Sequence, residues 1–485
     1  MRQNLVFETT NGNRYFYTES SRYSILLNPL LEKALQGQED ASSDSEYEYY
    51  KKKADFLKQH NVLDHKEVSF ITKPDPQIIK QNIANTKQLV LEITDCCNLD
   101  CYYCGYGALY TNYDKRRTGN MSVEQAKGIL DYVIKLQESK ANFSYTQALD
   151  ISFYGGEPLL NMKLIKESIA YLEQLETNLT FTYRMTTNTM LLDRYMDYLV
   201  EKKFNLLISL DGDRWANSYR QTVNGEESFP IVFRNALALK TKYLEYFESH
   251  VQFNAVLTDR SDYGEIYSFI KNHFDKIPMI SELSDSGVAK DKLDEFQTMF
   301  KSTFVSQKEF YKTHPTYSKD FFAKEENATF RSFVHGNTGN TFLTLNDLLK
   351  KEKSIFHMPS GTCMAFNRKI FVTINGKVLP CEKIGQETPL GDVKDNRVDV
   401  DFDNVSMIYD KMYKPMLKMC QQCYSQDNCG QCVFHIYAKG KMMGKLFCPS
   451  FVNKARMQDY LQFNVSNVEN DPHIYSEILE KDLLI

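Results

Sequence analysis

The chain has 485 residues, long enough for two to four domains, and its 42% hydrophobic content supplies ordinary buried cores. A net charge of −5 and a pI near 6.1 exclude the global basic field expected of a nucleic-acid binder. No apolar run approaches the roughly 18 residues of a membrane span, and Met1 to Glu8 lacks a signal-peptide core, so a cytoplasmic protein with no membrane or nucleic-acid partner is expected.

Residues 1–88 read as a small N-terminal α+β domain. Alternating residues on either side of Asn11-Gly12 predict a β-hairpin over Leu5–Thr18. Gln38–Ser45 is acidic and Ser-rich and predicts a mobile loop, Glu46–His60 predicts a helix, and Pro74 and Pro76 mark a linker.

From Gln88 a regular alternation begins. Strand-like runs fall at Leu89–Ile93, Asp150–Tyr154, Leu179–Met185, Asn205–Leu210, Val251–Val256 and Lys276–Ile280. Helical patterns fall at Ser122–Glu138, Met162–Gln174, Leu192–Lys202, Pro230–Tyr243 and Ser261–His273, with a capping box at Ser122 and Gln125. Repeated βα units predict an α/β fold with a parallel sheet, whose ligands gather at the carboxyl ends of the strands. This unit spans 89–284. Residues 285–360 form a polar bridging region with helices predicted at Asp291–Tyr311 and Thr344–Lys353. Residues 361–452 hold short strands such as Lys369–Thr373, and the tail, 453–485, reads as helical and then irregular.

Eleven cysteines fall into two groups with 258 cysteine-free residues between them. In a reducing cytosol they argue for metal rather than disulfides. Cys97, Cys101 and Cys104 directly follow the first strand of the alternating region, at its ligand-binding rim. Three thiolates are one fewer than a cubane iron–sulfur cluster usually takes from protein, which leaves one iron open. Cys96 reads as a packed thiol. The second group is Cys363, Cys381, Cys420, Cys423, Cys429, Cys432 and Cys448. Seven ligands fit one four-thiolate and one three-thiolate cluster. Zinc is the alternative for the close pairs, although zinc ribbons separate their pairs by about 15–20 residues and only five lie here.

The triplet, with aromatic Tyr103 before its last cysteine, resembles the signature of radical S-adenosylmethionine (SAM) enzymes. Four further motifs sit at successive strand ends: Gly155-Gly156-Glu157-Pro158, Thr187-Asn188, Ser209-Leu-Asp211-Gly212 and then Arg220. Each alone reads equally as a turn, a cap or a surface charge. In the family, the Glu of the first motif meets the SAM amino group, and the Ser and Arg lie by its ribose and carboxylate. The resemblance implies a partial (β/α)6 barrel and a SAM-binding 4Fe–4S cluster on Cys97, Cys101 and Cys104. It also implies a SAM site shaped by Tyr103, Gly155, Gly156, Glu157, Asn188, Ser209 and Arg220. There SAM is cleaved to a 5′-deoxyadenosyl radical that abstracts hydrogen from substrate.

The C-terminal cysteines resemble the SPASM domain, which holds auxiliary 4Fe–4S clusters; the Cys429-x2-Cys432 spacing is one residue shorter than its usual pattern. By analogy Cys420, Cys423, Cys429 and Cys448 hold one complete cluster, and Cys363, Cys381 and Cys432 hold a second with its fourth position open or filled by a group other than cysteine. Glu382 stands where sulfatase maturases of this subgroup carry an acidic base; its alternative is a surface glutamate. SPASM enzymes mostly act on polypeptides, so the resemblance points to a peptide maturase acting on a ribosomally made precursor, forming a thioether or carbon–carbon crosslink. It also implies an electron donor such as flavodoxin or ferredoxin. Residues 1–88 would grip a leader peptide by strand addition, or merely extend the packing. The alternatives are an anaerobic sulfatase-maturating enzyme, a non-catalytic peptide-binding partner, and an iron–sulfur electron carrier.

Overall fold

In the computed structural model, residues 4–19, 22–38, 45–60, 62–63, 69–313, 325–338, 356–426 and 429–482 are described. Strands β1 (Leu5–Glu8), β2 (Arg14–Thr18) and β3 (Tyr23–Leu26) form an antiparallel sheet in that order, with the Asn-Gly hairpin between the first two. Period-2 alternation gives the sheet two apolar faces. Val6, Phe16 and Ile25 pack on the helices Pro29–Leu35 and Ser45–Gln59. Leu5, Phe7 and Tyr17 pack instead on the helices Glu325–Asn337 and Lys454–Asn470. Glu469 fastens the hairpin to the latter, accepting hydrogen bonds from Asn11, Asn13 and Tyr15 at 3.1, 3.0 and 2.8 Å. Among the described residues the tail continues as a second helix, His473–Asp482, where irregular chain is expected, and its Ile478 is buried in the same core. Most of the loop predicted at Gln38–Ser45 lies outside the described residues.

After the short β4 (Ser69–Phe70) the predicted linker is instead the start of a helix, Pro76–Ala84. Asp75 caps it, accepting from Gln77 N at 2.8 Å, and Pro76 occupies the first helical position, where its missing N–H costs nothing.

Eight strands follow: β5 (Gln88–Thr94), β6 (Leu99–Cys101), β7 (Ala148–Gly155), β8 (Thr180–Thr187), β9 (Asn205–Ser209), β10 (Arg220–Thr222), β11 (Val251–Leu257) and β12 (Met279–Glu282). Six of them, β5-β7-β8-β9-β11-β12, are parallel neighbours joined by helical crossovers. β5 is buried along nearly its whole length, as expected of a strand covered on both faces. The crossover helix Val123–Gln137 starts at the reciprocal Ser122–Gln125 capping box. β6 and β10 pair antiparallel beside the strand ends, bringing Cys101 opposite Arg220.

Next come β13 (Phe356–His357), which pairs with β4, then β14 (Lys369–Val372), β15 (Lys377–Leu379), β16 (Gly391–Lys394) and β17 (Arg397–Asp399). β14 lies parallel to β5, with Phe371 opposite Val90. The six-stranded sheet therefore continues into the cysteine-rich region as ten strands. The helix predicted over Asp291–Tyr311 breaks into Leu293–Met299 and Thr303–Thr313. Phe300 is extended at the break and bridges to Thr258. The helix predicted at Thr344–Lys353 lies outside the described residues. Among the described residues no helix is long and apolar enough to cross a membrane.

Phe371 is 1% exposed and meets Tyr154 of β7 edge-on at 6.0 Å. Phe371→Ala should cost about 3–5 kcal/mol. In denaturant melts followed by region-specific hydrogen exchange, the alternating region and the cysteine-rich region should weaken together. Loss confined to the cysteine-rich region would contradict the shared sheet.

Candidate active site and cluster sites

The carboxyl ends of β5, β7, β8 and β9 open onto one cavity. It is lined by the thiols of Cys97, Cys101 and Cys104, by Gly155–Glu157, Asn188, Ser209 and Arg220, and by Tyr103 and Glu382. The structure thus gathers the N-terminal thiols, the four strand-end motifs and one acidic residue of the cysteine-rich region around a single space.

The thiols are wrapped by backbone. Cys104 N donates to Cys101 O at 3.0 Å and Gly107 N to Cys104 O at 2.8 Å, while Tyr102 N donates to Tyr219 O at 3.1 Å and ties the loop to the approach to β10. Donors point at the sulfurs: Leu99 N lies 3.4 Å and Asn188 Nδ2 3.7 Å from Cys97 Sγ, and Arg116 Nη2 lies 3.3 Å from Cys104 Sγ. Burial pushes the Cys97 thiol up to about 11 and that of Cys101 to about 12. Three sulfurs, donor groups aimed at them and adjoining space fit an iron–sulfur cluster with one open iron. Among the described residues no three His, Cys, Asp or Glu side chains converge on the position of one metal ion.

Gly155 and Gly156 line the cavity and also let two strand ends meet. A Cβ on Gly155, whose φ is +140°, would lie 2.0 Å from Thr94 O, and one on Gly156 would lie 2.1 Å from Cys96 O. Their close approach is to the chain that leads into the triplet. Gly156 N and Glu157 N donate to Thr94 O and Cys96 O, each at 2.8 Å. Cys96 contributes here through its carbonyl.

Glu157 is fully buried and accepts from Leu159 N at 3.0 Å, Thr187 Oγ1 at 2.8 Å and Asn188 N at 2.7 Å. Burial, opposed by these bonds, pushes its carboxyl up to about 7. Arg220 is also buried, and its guanidinium is held bidentately by Asp211 at 2.9 and 3.0 Å. Asp211 further accepts from Val256 N at 2.9 Å and from the Tyr103 hydroxyl, and Arg220 lies 5.4 Å above the Tyr103 ring. Tyr103 therefore steadies the ion pair. Ser209 is buried beside them at the end of β9.

Sequence reasoning missed several of these groups. Asp211 sat in a quoted motif but read as a turn residue. Arg116 lies in a loop without periodicity, so no pattern marks it. Glu92, on β5, accepts from the Tyr106 hydroxyl and from Ile374 N at 3.0 Å, and Tyr106 lines the cavity. Burial pushes the Glu92 carboxyl up to about 7.

Glu382 is not a surface glutamate: its side chain is 14% exposed, pairs with Lys369 at 3.0 Å and faces the cavity. Its neighbour Cys381 places Sγ 3.6 Å from the Glu382 carboxylate and 3.3 Å from Lys383 N. Cys420, Cys423, Cys429 and Cys448 line a separate void of about 210 Å³. Cys432 caps the helix Val433–Met443, and Val433 N donates to Thr362 Oγ1 at 2.7 Å, which holds Cys363 alongside. A ring nitrogen of His435 lies 3.0 Å from Lys383 O and ties that helix to the Cys381 turn. The two sets abut: a Cβ on Gly361 would lie 1.4 Å from Cys429 O.

Residues 91–268 match the radical SAM superfamily, and residues 363–424 match SPASM, an iron–sulfur cluster-binding domain. An uncharacterized protein of Methanocaldococcus jannaschii, MJ0907, is 27% identical over 41% of this chain and 69% of its own length. The radical SAM cyclopropyl synthase TigE of Paramaledivibacter caminithermalis is 26% identical over 43% of this chain, which spans only 44% of that protein. A cysteine-type anaerobic sulfatase-maturating enzyme of Clostridium perfringens is 25% identical over 63% of this chain and 77% of its own. The solved structure titled native anSMEcpe with bound AdoMet and Kp18Cys peptide superposes with a TM-score of 0.53 at 18% identity, covering 81% of this chain and 99% of that one; it shows a shared fold.

Gly156→Ala should displace the Cys96 carbonyl and lower iron bound at the N-terminal triplet several-fold, read by iron analysis in a background lacking the C-terminal cysteines; full iron would contradict the contact. Glu92 ionises near 4.5 when unfolded and about 7 when folded, so it lowers stability as pH rises between those values. Glu92→Gln should flatten that fall by on the order of 2–3 kcal/mol. Anaerobic thermal melts from pH 5 to pH 8 test this, and an unchanged pH slope counts against it.

Proposed function

Because the chain belongs to the radical SAM superfamily and carries a SPASM iron–sulfur domain, we propose that it is a peptide maturase that crosslinks a ribosomally made precursor through a thioether or carbon–carbon bond. One observation carries this reading: the three-thiol set, the strand-end motifs and Glu382 of the C-terminal region line one cavity. The cofactors are 4Fe–4S clusters and SAM, and when bound they supply a 5′-deoxyadenosyl radical able to take hydrogen from an unactivated C–H bond.

The protein's part is holding, positioning and proton transfer. Cys97, Cys101 and Cys104 would hold the SAM-binding cluster through three thiolates, one fewer than a cubane usually takes from protein. Glu157, already accepting three hydrogen bonds, keeps lone pairs for the SAM amino group. Ser209, Asn188 and the Asp211-fixed Arg220 define the ribose and carboxylate end. The SPASM cysteines would hold auxiliary clusters able to accept one electron, and Glu382 is placed to take the proton that the substrate gives up with it. Lys369 keeps that carboxylate in place.

A polypeptide substrate is supported by relatives named for maturing a sulfatase, itself a protein. β3 offers a place for a leader: among the described residues it pairs only with β2, and Leu26 on it is 54% exposed. The partners would be that precursor and a reductant such as flavodoxin or ferredoxin, in the cytoplasm. Sulfatase maturation is the second reading, favoured by the acidic residue directly after Cys381 and by those same relatives.

Purified anaerobically, the protein should hold about three cubane clusters and release 5′-deoxyadenosine with SAM and reductant; zinc without iron would sink the reading. Cys97→Ala should abolish SAM cleavage and keep the C-terminal clusters. Glu382→Gln should still release 5′-deoxyadenosine while product falls by about 10²-fold or more. Mass spectrometry of the peptide encoded beside the gene should show a loss of two hydrogens per crosslink, whereas an aldehyde in a sulfatase peptide would select the second reading.

A further inference from the structure

The helix Phe402–Tyr413 places Tyr409 and Tyr413 one turn apart, both fully buried. The Tyr409 hydroxyl meets no hydrogen-bond partner among the described residues. Tyr413 at least faces polar side chains, those of Ser360 and Thr362. Tyr409 does not. Its ring packs edge-on against Phe434 at 5.7 Å and tilted against Tyr413 at 5.8 Å, and the whole residue is closed off from solvent. An unpaired buried hydroxyl is costly, and phenylalanine would fill the same space without that cost.

Cys432 stands two residues before Phe434, the ring that packs edge-on against Tyr409, and Cys363 follows Thr362, which accepts from Val433 N; both thiols act electrostatically on the Tyr409 hydroxyl. Both belong to the incomplete set, which has one thiol fewer than a cubane normally takes from protein. Cys432 is set at the start of the helix Val433–Met443, whose Phe434 packs on Tyr409, and Thr362 fixes Cys363 beside it. A cluster on these thiols brings sulfur acceptors to a buried donor that has no partner among the described residues. We infer that the Tyr409 hydroxyl donates a hydrogen bond to a sulfur of the auxiliary cluster at Cys363 and Cys432 and raises that cluster's reduction potential.

The direction follows from charge. Reduction adds a negative charge to the cluster, a donor aimed at sulfur stabilises that charge, and hydrogen bonds to sulfur are among the determinants of cluster potentials. The raised potential suits a cluster that must take one electron from a substrate radical. This inference rests on the reading that the SPASM cysteines hold iron.

The test uses the full chain with Cys97, Cys101 and Cys104 replaced by alanine, so that only auxiliary clusters contribute, in a redox titration followed by electron paramagnetic resonance. Tyr409→Phe removes the hydroxyl and keeps the ring. It should retain iron and lower one midpoint potential by at least a tenfold change in the equilibrium constant, 59 mV for one electron. Replacing Tyr409 by 3-fluorotyrosine, a stronger donor of nearly the same shape, should move the same midpoint upward, which separates donation from damage to packing. Unchanged midpoints in both proteins overturn the inference. Loss of about four irons from Tyr409→Phe overturns it too, because the oxygen would then be a ligand. Absence of auxiliary iron from the parent protein instead fails the underlying cluster reading.

Discussion

The carbonyl of Cys96 lies against the α-carbon of Gly156, and the position of the three thiols follows from that contact. It exists because β5 and β7 end side by side and because glycine leaves no side chain between them. Two backbone hydrogen bonds lock the junction. The next residue after the contact is the first thiol, and the next residue on the other strand is Glu157. Ligand set and carboxylate are therefore placed by one piece of backbone geometry. The sequence Gly-Gly-Glu is as much a statement about how two strands meet as about what they bind.

The second organising element is the run of β14 beside β5. A strand from the cysteine-rich region completes the sheet of the alternating region, so Glu382, a few residues past β15, is delivered to the rim where the triplet stands. The chemistry proposed needs a hydrogen-abstracting site and a proton acceptor close together, although Glu382 follows Cys104 by 278 positions in the chain. Continuous hydrogen bonding across ten strands makes that separation irrelevant.

Much of this was legible in advance. The βα alternation marks the six parallel strands, because buried parallel strands are apolar runs between amphipathic helices, and cysteine spacing marks the N-terminal triplet and the four thiols that line the C-terminal void. What stayed hidden has physical causes. Nothing local in Lys369–Val372 says which strand it will join, since edge choice is a tertiary decision. Pro76 reads as a breaker or as a helix start, and the Asp75 cap decides between them. Asp211 and Arg116 carry no periodic signal, because their roles come from partners far away in sequence. Tyr409 sits in an ordinary amphipathic helix pattern, and only its unpaired hydroxyl sets it apart.

The contact between Gly361 and the Cys429 carbonyl carries a consequence of its own. There is no room there for even a methyl group. The chain two residues before Cys363 therefore cannot shift toward Cys429 without pushing on its backbone, so one added carbon at Gly361 would disturb both stretches of cysteine-bearing chain at once.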